Sequence, residues 1–114
     1  MGILDLLGIS KLSKVKAELK ANNLAPQATL LQLMKDKGYS DNWDEKRRDL
    51  EIKMLLAQKV DIMSAALSLD RFRTAREICL FNGLEDAANG FQNYIELYEY
   101  YIKNYFNLGG PSSW

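Results

Sequence analysis

Residues 84–106 read LEDAANGFQNYIELYEYYIKNYF, the stretch with the clearest periodicity in the chain. Leu84, Ala87, Ala88, Phe91, Ile95, Tyr98, Ile102 and Tyr105 step by three and four, which lines one side of an α-helix. At 1.5 Å per residue this helix is about 35 Å long. Small residues near its start, Ala87, Ala88 and Gly90, admit the close approach of a second helix. Asn82-Gly83 just before it is a strong stop for whatever helix precedes.

Working outward, the same period recurs and strand-like alternation does not. From Trp43 the chain runs without Gly or Pro to Leu69, so the spacing predicts one helix over 43–69. Beyond Met54 its apolar residues cover most of the circumference, as expected of a central helix surrounded by others. Asn42 with Glu45 resembles a capping box at its start. A short helix is expected from about Phe72 to Phe81. Toward the N-terminus, an apolar helix over 3–8 ends at Gly8, and a Lys-rich one follows from Ser10 or Ser13 to Ala21. A third begins at Pro26, whose missing N–H is not needed in a first turn, and ends at Gly38. The expected fold is therefore an all-α bundle of four or five helices. It is read as one domain over 1–114, with a basic helical arm (1–38), core helices (43–107) and a tail (108–114). No internal repeat divides it.

Composition limits the chemistry. The 114 residues carry 15 Lys+Arg against 15 Asp+Glu, with no His and one Cys. Without His the commonest general base and metal ligand are missing, and one thiol cannot hold a cluster or a structural zinc. Cys79 lies between Ile78 and Leu80 with no base to activate it, which reads as a buried apolar residue with a raised pKa. Glu99 stands four residues before Lys103, an ordinary surface pair. No catalytic residue, cofactor or metal site is expected. The start of the chain has neither the basic flank nor the length of a signal or a membrane span, so a cytoplasmic location is expected.

What remains is binding. Seven of the twelve aromatic residues lie between Phe91 and Phe106. Tyr98 and Tyr105 share the apolar stripe and are expected in the core. Tyr94 and Tyr101, two turns apart on the neighbouring strip, together with Trp114 in the tail, are expected to meet another protein chain, a second copy or a larger assembly. A second expectation is a membrane surface touched by residues 1–20, through Ile3, Leu4 and Leu7 with Lys11 and Lys14. Residues 1–38 hold six Lys against three acids, a balance of +3. Arg73 and Arg76 share a helix face that could clamp an anion, although Asp70 and Glu77 stand ready to neutralise them. Nucleic acid is the least favoured partner. A helix–turn–helix reading of Pro26–Arg48 would put Asp44, Glu45 and Asp49 against phosphates, and only Lys103 is basic beyond Leu84. The joint from Ala75 through Ala88 resembles that of a paired-helix repeat, which implies no particular function.

Overall fold

A computed structural model describes the backbone of residues 3–38 and 43–106, with side chains from residue 11 onward. Over these residues the fold is all-α. Five helices run in the order α1 (Ile3–Ala21), α2 (Ala25–Asp36), α3 (Glu45–Ala57), α4 (Ile62–Phe81) and α5 (Glu85–Tyr105). Gly8 does not divide α1, and Asn42 lies outside the described residues. Asp44 caps α3 instead, its carboxylate accepting the Arg47 N–H at 2.8 Å.

The expected 43–69 helix is two helices. It breaks at Gln58–Asp61, where Lys59 adopts a left-handed φ of 54° and the Asp61 carboxylate accepts the Ser64 N–H at 2.7 Å. No second break follows, so α4 continues through Leu69 to Phe81. The break also changes what surrounds these residues. Leu56, Met63 and Leu67 are exposed rather than enclosed, and Ile62, expected in the core, is only half-buried.

Three of the connections are the same device. After α1, α3 and α4 a residue with positive φ (Asn23, Lys59, Gly83) is followed by an apolar residue. The N–H of that apolar residue returns to a carbonyl five positions back: Leu24 to Leu19 at 2.8 Å, Val60 to Leu55 at 3.2 Å, Leu84 to Cys79 at 2.8 Å. Two of these turns make helical hairpins, α1–α2 and α4–α5, and the hairpins match in detail. Asn22 and Asn82 each donate a side-chain N–H to the carbonyl four residues back, of Glu18 and Ile78. Gln32 donates to Asp36, and Gln92 to Glu96. Val15 and Ala75, Leu19 and Cys79, Ala28 and Ala88, Leu31 and Phe91 are equivalent pairs, and every member is buried in one shared core. A correspondence at a 60-residue offset is thus present where the sequence reading found no repeat.

That core also revises the arm. From Lys11 onward the basic segment supplies Val15, Leu19, Leu24, Ala28 and Leu31 to the centre of the molecule, while its lysines stay largely in water. A smaller core forms where α3 and the start of α4 meet the far half of α5, from Ile52, Leu55, Ala65, Leu97 and Tyr101. Among the described residues no helix is long and apolar enough to cross a membrane.

Candidate functional site

α5 touches two sets of neighbours, and the site arises between them. Ala87, Ala88, Phe91 and Ile95 face the paired hairpins, whereas Leu97 and Tyr101 face α3 and the start of α4. Tyr101 is therefore not on an outer strip. It is 2% exposed, and its hydroxyl donates to the Val60 carbonyl at 2.6 Å. Burial and the nearby Asp61 carboxylate raise its pKa. Tyr105, expected in the core, is 46% exposed. The reversal follows from the Gln58–Asp61 break, which sets α3 and the start of α4 against a different side of α5 from the hairpin core.

Tyr94 sits at the junction of the two cores. Its ring stacks on Phe72 at 5.0 Å and meets the edge of Trp43 at 4.7 Å. Trp43 is fixed in turn: its backbone N–H donates to the buried Asn93 side chain at 3.1 Å, and the Arg47 guanidinium lies 4.5 Å from its ring centre. Arg47 also pairs with Glu51 at 3.0 Å. Burial raises the Tyr94 pKa, Glu51 adding to the effect.

These groups line one side of a groove of about 310 Å³ between α2, α3 and α5. α2 contributes Leu30, Leu33 and Met34, with Lys37 at its C-cap; Trp43 and α3 contribute the other wall, ending at Met54; Gly90 and Tyr94 form the floor. Gly90 lets the Met34 side chain lie against the α5 backbone. A Cβ at that position would stand 2.5 Å from the Met34 sulfur, which rests over the glycine. The lips are apolar and unsatisfied: Leu33 is 48% and Met54 54% exposed.

Of the three residues expected at a protein interface, the structure places only Tyr94 in this groove. Tyr101 belongs to the smaller core, and Trp114 lies outside the described residues. Leu33, Met34, Trp43 and Met54 were not singled out from the sequence. The side chains of Ile3, Leu4 and Leu7 also lie outside the described residues, while Lys11 and Lys14 are exposed. Arg73 and Arg76 do not converge on an open anion position. Arg73 pairs with Glu99 at 2.8 Å, which takes Glu99 from its expected partner Lys103, and Arg76 pairs with Glu77 at 3.2 Å. Cys79 is fully buried, and burial pushes its thiol up to about 12. Comparison with protein-family models, with curated proteins and with solved structures finds no match to this chain.

Proposed function

We propose that the protein is a non-enzymatic helical interaction module whose groove between α2, α3 and α5 receives an apolar-faced helix of a protein partner. The observation that carries this reading is the pair of half-exposed lips, Leu33 and Met54, facing each other over a floor of Gly90 and Tyr94. Two apolar ridges with a glycine between them suit anchors at i, i+4 and i+7 of an amphipathic helix. Trp43 and Tyr94 supply the rigid aromatic area that concentrates binding energy. The groove's charged residues are Lys37, Arg47 and Glu51, two positive and one negative, so an acidic residue beside the partner's apolar stripe complements it. Catalysis finds little support, since the chain has no His and its one thiol stays protonated at neutral pH.

Selection of displayed peptides on the folded protein tests the reading, with Trp43 fluorescence in a Trp114→Phe background as the binding signal. The expected binders are amphipathic helices with an acidic flank. Leu33→Asp combined with Met54→Asp should weaken them by about tenfold or more, with the circular dichroism spectrum unchanged. Binders that hold the double variant as tightly as the parent would place the docking face elsewhere and end the groove reading.

A further inference from the structure

The groove lies between equivalent positions of the matching hairpins. Leu30 and Met34 of α2 line it together with Gly90 and Tyr94 of α5, each pair 60 residues apart. The first pair does not match in size: where α2 carries a leucine, α5 carries no side chain at all. Gly90 nevertheless sits in the second turn of a 21-residue helix and is buried. A glycine inside a helix is less favourable than an alanine. What a Cβ there would meet is one side chain. Its three nearest atoms are Met34 Sδ at 2.5 Å, Cε at 3.2 Å and Cγ at 3.9 Å. Sδ and Cε are the far end of an unbranched side chain with three rotatable bonds, and Met34 is only partly buried. That end can turn aside into the groove without moving a helix. Alanine at position 90 would therefore serve folding equally well.

We infer that Met34 is a displaceable plug, and that the notch over Gly90 receives one leucine-sized aliphatic anchor of the partner helix. This rests on the groove reading and specifies which side chain the groove selects. In the free protein the thioether covers the Gly90 backbone. On docking it turns aside, and the anchor takes the same space against α5. Exchanging one apolar side chain for another leaves no polar group unpaired, so no compensating hydrogen bond is needed. The vacated space is that of a methionine side chain, which leucine matches in volume. Alanine would leave a void there, and tryptophan would overfill it. A partner leucine thus supplies to α5 what Leu30 supplies to α2 from within the chain.

The probe is a helical peptide from the same selection, synthesised with leucine or alanine at its central anchor. By NMR, the Met34 methyl of the free protein should show nuclear Overhauser contacts to the Gly90 Hα protons. With the leucine peptide bound these should vanish, and the peptide's leucine methyls should take them over. Gly90→Ala should weaken the leucine peptide by about tenfold and leave the alanine peptide unchanged. The Tm of unbound Gly90→Ala should equal or exceed that of the parent, since the helix gains and Met34 yields. Met34–Gly90 contacts that persist in the complex, equal effects of Gly90→Ala on both peptides, or a Tm lowered by several degrees would each overturn the plug. Peptides weakened by Leu33→Asp with Met54→Asp but not by Gly90→Ala would overturn the plug and leave the groove reading intact. Peptides indifferent to all three substitutions would end both.

Discussion

Tyr101 shows what one side chain does when two elements converge on it. Its ring fills the smaller core, and its hydroxyl satisfies the Val60 carbonyl in the turn that ends α3. Tyr101→Phe keeps the ring and removes the donor, so denaturant unfolding should report a loss of about 1–2 kcal/mol. Tyr101→Ala also opens a cavity and should cost about 3–5 kcal/mol. Equal, negligible losses for both would return the ring to the surface. The sequence misplaced this residue for a physical reason. A stripe drawn straight along α5 selects Tyr98 and Tyr105, but burial shifts to the neighbouring strip where α3 replaces the hairpins as neighbour. Phe91 and Ile95, packed on the hairpins, were legible because nothing changes over that length.

At the scale of elements, the turn after α3 differs from its two counterparts in one respect. The left-handed position holds Asn23 in one, Gly83 in another and Lys59 here. Asn and Gly tolerate that conformation, whereas a lysine Cβ crowds the following carbonyl. Lys59→Gly should therefore raise stability by about 0.5–1 kcal/mol, seen as a higher Tm, and Gly83→Ala should lower it by about 1 kcal/mol. An unchanged or lower Tm for Lys59→Gly would argue against this reading of the turn. The break itself was hard to read because no Gly or Pro marks it. The available signal was Asp61 three residues before Ser64, a cap in the middle of an apolar run. The breaks at Gly38 and Asn82-Gly83 carried their usual residues and were legible.

Across the whole molecule the buried acids share one sign. Burial raises the Cys79 thiol from 9.0 to about 12 and also raises Tyr94, Tyr98 and Tyr101. Above about pH 9 the unfolded chain releases the thiol proton while the folded chain keeps it. The unfolded state then binds fewer protons, so stability falls as pH rises. Thermal unfolding should give a Tm with no contribution from this group below pH 9 and a decline above it, continuing as the tyrosines begin to titrate in the unfolded chain. Cys79→Ala should remove the earlier part of the decline and leave the later part. A decline that starts at the same pH in both proteins would exclude the thiol as its source.

The matching hairpins have a consequence for assembly of the core. Asn, Leu, Ala and Gln recur at positions 22 and 82, 24 and 84, 28 and 88, and 32 and 92, while most residues around them differ. Both copies bury the same face, and they bury it in one core. Two hairpins that bury the same face against each other find their partner within one chain, so the encounter that two separate molecules would have to make by diffusion is replaced by closing the 58–61 turn and the α3 segment between them.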